Sequence, residues 1–379
     1  MSDNISFNIQ TKIIKRVSDV KSLLRLRSVS KQWKSFIDSP QFIAGYGARK
    51  TQPHTLLLRY QEKFQVKYLS VNNDTLTQQQ DLVPNASTLM KHLRELEVIG
   101  YSRGLLCLYG TCTWSMFVLW NPSIRRSVGI VHGIFGFAVC PVTNEPTIVK
   151  YSYPWIVEVY TLSSKRWTVI QCSKPCKSIQ FHERSHGRSQ VVIGSCIYRV
   201  SYETILLQYG YYTHQYMIVS FDLNAKEFKA IEFPDTITNQ SAMPARLFIS
   251  KLRESLVLCL PNRQVGVWKM EHDCSFTKLF TFNTPERAIT KILGFRKNYE
   301  LVLEIQQFGT SDSTVEVYEP WSRNVIKSPI CGQRNSFFIT SYKETLLLLD
   351  HLDSSVYYDD CKVLVLQSDM LSHHGVTPL

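Results

Sequence analysis

Hydrophobic positions near the start of the chain recur at helical spacing. The first set falls at i, i+4, i+5 and i+8 and predicts one apolar stripe on a short helix: Ile9, Ile13, Ile14 and Val17. A second set, after a possible cap at Ser18-Asp19, predicts a second helix: Val20, Leu23 and Leu24. Ser30 can cap a third helix, which Ser39-Pro40 ends. Three such short helices bury little surface alone, so we expect them to need a partner subunit or to pack on the larger domain.

From Thr55 onward the pattern changes to short apolar runs separated by turns. Runs of this length predict strands rather than helices: 55–58, 104–108, 255–260 and 346–349. One stretch, Ser87 to Glu97, has the spacing of a helix or a long loop, with these apolar positions: Leu89, Met90, Leu93 and Leu96. The chain therefore divides near residue 50, into an α-helical unit at 1–48 and a large all-β domain at 49–379.

A weak repeat runs through the β domain. Five segments place an aromatic residue at the end of a strand, just before a turn: Trp120, Tyr160, Phe221, Trp268 and Tyr318. Their separations are 40, 61, 47 and 50 residues, and periods of about 40–50 residues are typical of β-propeller blades. We predict a propeller of six to eight blades, with each aromatic packed between neighbouring blades. A β-sandwich with similar hairpins is the alternative.

Composition and charge narrow the possible functions. The 379 residues are 44% hydrophobic and 20% charged, which excludes wholesale disorder. The net charge is +12, and residues 1–60 hold +8 of it, with eleven Lys or Arg against three Asp. This excess predicts an acidic partner for the N-terminal segment, either nucleic acid or an acidic protein. The sequence disfavours nucleic acid, because Trp33 is the one aromatic between Lys12 and Lys34 and its spacing places it in the apolar set.

The same composition bears on cellular location. No run approaches the roughly 18 apolar residues that span a bilayer, and the first ten residues are polar, unlike a secretory signal. We therefore expect a protein of the cytoplasm and/or nucleus that does not associate with membranes. Its ten cysteines are expected to be reduced and to act mostly as small core residues.

Sequence motifs for catalysis or cofactor binding are missing. There is no Walker-type phosphate loop, no GxGxxG and no Gly-x-Ser-x-Gly elbow. The spacing closest to a metal site is formed by four residues: Cys172, Cys176, His182 and His186. Only five residues separate Cys176 from His182, too few for a helix-bearing zinc finger, so we interpret the segment as a polar loop between blades. We expect no catalytic residue, no cofactor and no metal.

Two parts of the chain resemble one plant family. Residues 9–16 and 20–42, with the core Val-Lys-Ser-Leu-Leu-Arg at 20–25 and Val-Ser-Lys-x-Trp at 29–33, closely resemble a plant F-box. Residues 104–108 and 119–123 resemble the start of the F-box-associated domain of plant F-box/kelch-repeat proteins. Residues 221–223, 293–295 and 317–320 fit the same family. The resemblance implies a small all-α F-box followed by a kelch-like propeller.

The resemblance also implies a function. A protein of this family is a non-catalytic substrate-recognition subunit of a Skp-cullin-F-box ubiquitin ligase. Its F-box binds a Skp-type adaptor, and through it a cullin, while its β domain binds a target protein for degradation. The implied adaptor-binding residues are Ile9, Ile13, Ile14, Leu23, Leu24, Val29 and Trp33. Of these, Val29 and Trp33 are expected mainly to hold the helices together.

The chain departs from the family pattern at two places. Family F-boxes usually open with Leu-Pro, where this chain has Ile5-Ser6, and a second Leu-Pro is replaced by Val17-Ser18 with Asp19 inserted. Because proline starts a helix at little cost, its loss should loosen both helix entries, although Ser18-Asp19 can cap instead. A propeller scaffold with weakened or lost adaptor binding is therefore the main alternative. An enzyme using the Cys/His segment and a nucleic-acid-binding protein are two further alternatives.

Overall fold

The computed structural model describes most of the chain. The described residues are 5–48, 55–82, 89–90, 93–111, 115–131, 135–152, 156–171, 179–181, 190–206, 211–233, 237, 247–261, 264–283, 289–296, 299–307, 309–357 and 363–365. Four helices come first: α1 (Phe7–Arg16), α2 (Val20–Arg27), α3 (Lys31–Ile37) and α4 (Pro40–Ala48). None of the helices in these ranges is both long and apolar enough to cross a bilayer.

Side-chain caps set two of the helix starts, as the sequence predicts. The Asp19 carboxylate accepts a hydrogen bond from Ser22 N at 2.6 Å at the start of α2, and Ser30 Oγ accepts one from Trp33 N at 3.1 Å at the start of α3. The prediction of three helices is wrong by one. Pro40 does follow the end of α3, but it also begins α4, because the first helical position needs no N–H donor.

Twenty-seven strands follow within the described residues. The first eleven are β1 (Thr55–Glu62), β2 (Gln65–Asn72), β3 (Gln78–Asp81), β4 (Arg94–Ser102), β5 (Leu105–Thr111), β6 (Ser115–Asn121), β7 (Arg126–Val131), β8 (Gly136–Val139), β9 (Pro146–Ser152), β10 (Ile156–Thr161) and β11 (Arg166–Ile170). The next nine are β12 (Ile179–Phe181), β13 (Val191–Ile193), β14 (Cys196–Leu206), β15 (Tyr212–Asp222), β16 (Glu227–Glu232), β17 (Phe248–Leu252), β18 (Ser255–Pro261), β19 (Gln264–Met270) and β20 (Phe276–Asn283). The last seven are β21 (Ile289–Phe295), β22 (Leu301–Gln306), β23 (Asp312–Glu319), β24 (Asn324–Gln333), β25 (Phe338–Ser341), β26 (Ser355–Tyr357) and β27 (Val363–Val365).

The strands form six sheets, which are the six blades of a β-propeller. Blade 1 holds β1–β3, blade 2 β4–β7, blade 3 β8–β11, blade 4 β12–β16, blade 5 β17–β20 and blade 6 β21–β24. The first strands of neighbouring blades touch, as in β4 with β8 and β17 with β21, so they lie nearest the axis. This confirms the predicted propeller and fixes the number of blades at six; the kelch type stays a prediction.

The ring is closed by the end of the chain. Strand β25 joins blade 1 by pairing antiparallel with β1, with Leu57 opposite Thr340 and Leu58 opposite Ile339. The chain then returns to blade 2, where β26 pairs in parallel with β7 and antiparallel with β27. Because blade 1 combines strands from both ends of the β domain, the ring forms only when the whole domain is folded.

The five repeated aromatics have the predicted place in the blades. Each lies near the end of the third strand of its blade, and each is buried against the preceding blade. Trp120 meets Tyr68 of blade 1 edge to face at 4.8 Å, and Tyr318 stacks on Phe282 of blade 5 at 4.7 Å. In blade 1 the corresponding position, one residue before the end of β2, is Val71, which is why the aromatic spacing revealed five blades and not the sixth.

Two predicted elements differ from the structure. The run 346–349 is not a strand but a buried turn, whose backbone oxygens accept hydrogen bonds partly from the turn itself and partly from side chains of blade 2. Asn121 Nδ2 donates to the carbonyls of Thr345 at 3.0 Å and Leu347 at 2.6 Å, and Arg126 donates to Leu349 O at 2.9 Å. Such hydrogen bonds let an apolar run be buried without a strand partner, which spacing alone does not reveal.

The second difference concerns the stretch 87–97. Leu89 and Met90 form a helical turn, but β4 begins at Arg94, so Leu96 lies on a strand and not on a helix. The four apolar positions of this stretch are nevertheless buried in one cluster with Trp120. Burial on both sides of β4 removes the alternation that marks a strand, which is why the spacing favoured a helix.

Candidate functional site

The helical unit packs on blades 2 and 3. Ile14, Leu23 and Ile37 are fully buried, and they belong to the same hydrophobic cluster as Leu119 of blade 2 and Tyr160 of blade 3. The buried turn 346–349 belongs to this cluster as well. Burying side chains of this size stabilises the junction by about 1.5–3 kcal/mol each. One face of the helical unit is therefore already covered by the propeller.

Polar contacts lock the helices to one another. Arg27 binds Asp38 through two hydrogen bonds, Nε to Oδ1 at 2.5 Å and a terminal nitrogen to Oδ2 at 2.8 Å, which ties the end of α2 to the end of α3. Asp38 raises the pKa of the Arg27 guanidinium through this hydrogen bond. Trp33 Nε1 donates to Gln10 Oε1 at 2.7 Å and joins α3 to α1. These contacts fix the relative positions of the side chains on the outer face.

The outer face of the helical unit carries exposed apolar side chains. Four of them, which we name the helical patch, are exposed to these extents: Ile5 43%, Ile9 51%, Ile13 54% and Val29 63%. Ile9 and Ile13 are one helical turn apart on α1 and so are neighbours on its surface. Exposed apolar residues on a small, locked helical unit are typical of a protein-binding surface.

The seven predicted adaptor-binding residues fall into three groups. Ile9, Ile13 and Val29 are exposed, whereas Leu24 and Trp33 are half-buried. Ile14 and Leu23 are buried against the propeller, so they can support a partner surface only from below. Val29 lies largely at the surface, whereas Trp33 is hydrogen-bonded to Gln10 of α1. Sequence reasoning missed Ile5, because a single apolar residue before a helix has no spacing pattern.

The helices around the patch are positively charged. Six exposed Lys or Arg residues on α1–α3 have no carboxylate partner among the described residues: Lys12, Arg16, Lys21, Arg25, Lys31 and Lys34. Because such charges attract an acidic protein from a distance and steer its approach, they complement the apolar patch.

A cleft of about 550 Å³ lies where α4 meets the propeller. Its walls include Ile43 of α4, Asn144 of the turn between β8 and β9, Ser163 of the turn between β10 and β11, and His351. The helical unit therefore lies at the end of the ring that carries these two turns. Burial lowers the pKa of His351, which disfavours its charged form.

The structure does not describe the Cys and His residues whose spacing is closest to that of a metal site. Cys172, Cys176, His182 and His186 lie outside the described residues, and so do His373 and His374. Within the ranges that the structure describes, no three His, Cys, Asp or Glu side chains are grouped as a metal site would need.

Comparison with known proteins identifies the helical unit. The family model of the F-box domain matches residues 3–44, which include α1 to α3 and the helical patch. Residues 3–44 are an F-box domain. F-box domains in general bind Skp-type adaptors, and F-box proteins in general are non-catalytic adaptors of ubiquitin ligases.

The chain is also similar, beyond its F-box domain, to F-box proteins of Arabidopsis thaliana. F-box protein CPR1 is 26% identical over 308 residues, which are 70% of this chain and 70% of CPR1. F-box protein At5g18160 is 29% identical over 62% of this chain and 59% of its own length. Putative F-box protein At1g32420 is 26% identical over 71% of this chain and 86% of its own.

Among solved structures, TolB from Acinetobacter baumannii is similar over 80% of this chain and 71% of its own. The identity is 11% and the TM-score 0.45, a likeness too low to say anything of function.

Proposed function

We propose that this protein is the substrate-recognition subunit of a Skp-cullin-F-box ubiquitin ligase. In this role the helical unit binds a Skp-type adaptor, and through it a cullin, while the propeller binds a target protein for ubiquitination and degradation. In this role the protein catalyses no reaction itself; it brings the target protein and the ligase together. This role places it in the cytoplasm or the nucleus.

One observation carries the proposal. The propeller covers one face of the helical unit, yet Ile9 and Ile13 remain half exposed among unpaired basic residues. A helical unit that served only to cap the propeller would have no reason to keep apolar side chains on its outer face. An acidic adaptor with an apolar groove would bury them and neutralise the surrounding charge.

A scaffold with weakened adaptor binding is the second candidate, and one observation favours it. Ser6 precedes α1 but its side chain makes no capping hydrogen bond, whereas Asp19 caps α2. A missing cap costs about 1 kcal/mol of helix stability, so the first turn of α1 opens more readily. Since Ile9 lies in that part of α1, adaptor affinity would fall accordingly.

Point variants test the proposal better than deletion of the F-box. Removing residues 5–48 would expose the buried turn 346–349 and the rest of the shared cluster, and the truncated propeller could then bind other proteins non-specifically. The experiment is co-purification of the full chain with a Skp-type adaptor and a cullin, using wild type and Ile9→Asp/Ile13→Asp. We expect the wild type to retain both proteins and the variant to lose both. If wild type retained neither the adaptor nor the cullin, the result would support the second candidate, a scaffold with weakened adaptor binding.

A further inference from the structure

Besides the helical patch, an exposed aromatic cluster lies between blades 5 and 6. Trp321, in the turn between β23 and β24, is 73% exposed. Its ring lies 6.1 Å from that of Phe280 on β20, and Phe280 lies 6.5 Å from Tyr299, edge to face. The guanidinium of Arg253 lies over Tyr299, 5.5 Å from the ring centre. These four residues form one continuous row, which we name the blade 5–6 cluster.

The charges around the blade 5–6 cluster are positive and unpaired. Arg253 and Arg323 have no carboxylate partner among the described residues. Lys278 of β20 does not belong to the cluster, because a bulge separates it from Phe280 and its ammonium lies over Trp268, 5.7 Å from the ring centre. Arg323 follows Trp321 by two residues in the same turn.

The acidic side chains nearby in the sequence are already bound. Glu254 pairs with Lys251 at 2.9 Å, and Glu300 lies 3.5 Å from Arg296. Glu319 accepts a hydrogen bond from Ser322 Oγ at 2.7 Å. The two arginines beside the cluster are therefore left for a ligand from outside.

The cluster is distant from the helical patch in the ring. In the antiparallel blades, the turns that carry Arg253, Tyr299 and Trp321 lie at the same end of the ring as the helical unit. The helical unit, however, packs on blades 2 and 3, across the axis from blades 5 and 6. Both surfaces can therefore be occupied at the same time by different proteins.

We propose that the blade 5–6 cluster binds an acidic peptide segment that packs one apolar side chain against Trp321. The guanidinium group of arginine binds a carboxylate through two parallel hydrogen bonds. An exposed indole supplies the large, rigid apolar contact that is typical of interface hot spots. The inference rests on the proposed function in one respect: the segment would belong to the target protein. The binding itself does not depend on the ligase role.

The geometry favours a peptide over single-stranded nucleic acid. Nucleic-acid surfaces stack successive bases on separate exposed rings along a basic groove. Here Trp321 alone is open, whereas Phe280 and Tyr299 are half-buried and turn toward each other. One open ring beside two arginines fits one apolar anchor with flanking carboxylates.

The test uses the full-length protein and fluorescence anisotropy with three labelled probes. The first is a heptapeptide with a central leucine between glutamates, the second has glutamine in place of each glutamate, and the third is an oligothymidylate. We expect the acidic peptide to bind about tenfold more tightly than the glutamine peptide. Trp321→Ala and the double variant Arg253→Ala/Arg323→Ala should each weaken it about tenfold.

Phe64→Ala is the matched control, because Phe64 is 95% exposed in the turn between β1 and β2, outside the cluster. It should bind the acidic peptide like wild type. Equal binding of both peptides, no effect of Trp321→Ala, or tighter binding of oligothymidylate than of the acidic peptide would each overturn the proposal. Trp321→Ala should still co-purify with the adaptor, so a failure here is distinguishable from a failure of the ligase role.

Discussion

The side chain of Gln190 forms a two-way hydrogen bond with the main chain of Phe137. Gln190 Oε1 accepts from Phe137 N at 2.8 Å, and Nε2 donates back to Phe137 O. The Gln190 backbone N–H also donates to Ile99 O at 3.1 Å. Gly100 makes room for this side chain, since a Cβ there would lie 2.5 Å from Gln190 Cγ. One buried residue thus connects blades 2, 3 and 4 near the axis, through its side chain and its backbone N–H.

We predict that Gln190→Ala lowers the free energy of unfolding by about 2 kcal/mol, because two hydrogen bonds are lost and two buried backbone groups are left without partners. Urea denaturation followed by circular dichroism measures the change. Gln180→Ala is the control, since Gln180 is exposed on β12, and it should change stability by less than about 0.5 kcal/mol. Equal effects of the two substitutions would show that the connection does not stabilise the ring.

Two tryptophans at opposite extremes of burial test the role of the repeated aromatics. Trp120 is almost fully buried between blades 1 and 2, so Trp120→Ala should cost about 3–5 kcal/mol of stability. Trp321→Ala, at a largely exposed position, should stay within about 0.5 kcal/mol of wild type. Thermal unfolding of both variants gives the comparison, and a mild effect of Trp120→Ala would mean that the aromatics do not hold neighbouring blades together.

The largely buried imidazole of His351, in the cleft beside α4, makes stability depend on pH. Burial lowers the pKa of His351 in the folded protein below its ordinary 6.5, so the unfolded chain binds the proton more tightly. The contribution of His351 is therefore complete above about pH 6.5 and is lost as the pH falls through the folded pKa. Four charged groups act on it: Asp350, Lys165, Glu145 and Arg126.

We expect wild-type stability to fall between pH 7 and 5.5, and His351→Gln to flatten that decline. Urea titrations at several pH values measure it. His272→Gln serves as the control, because His272 is exposed, and its profile should follow wild type. Parallel profiles for wild type and His351→Gln would contradict this account.

The sequence predicts the fold better than it predicts which residues form the functional surface. Apolar spacing and aromatic repeats predicted the helices and the propeller, since both follow from periodic burial. The same spacing did not separate Ile13 from its neighbour Ile14, because which side of α1 the propeller covers depends on long-range packing. It missed α4 at Pro40 for a different reason: proline both ends and begins helices.

The blade 5–6 cluster could not be predicted from the sequence either. Arg253, Phe280, Tyr299 and Trp321 come from two blades and are up to 68 positions apart along the chain. No local motif joins them, because their proximity results from the closure of the ring. The buried turn 346–349 likewise depends on Asn121, which is more than two hundred residues earlier.

The central claim is that the exposed face of the helical unit, and not its buried face, binds the adaptor. This claim predicts different effects for substitutions at two neighbouring residues of α1. Ile13→Asp should weaken adaptor binding without altering the fold, because Ile13 is 54% exposed. Ile14→Ala should instead destabilise the protein by about 2–5 kcal/mol, because Ile14 is buried in the junction with the propeller.

The most direct measurement is the dissociation constant of a purified Skp-type adaptor for the full-length protein, by isothermal titration calorimetry. We predict that Ile13→Asp weakens binding at least about tenfold, since it places a charge in an apolar contact, while folded Ile14→Ala protein binds like wild type. Wild-type affinity for Ile13→Asp, in protein of unchanged stability, would contradict the claim.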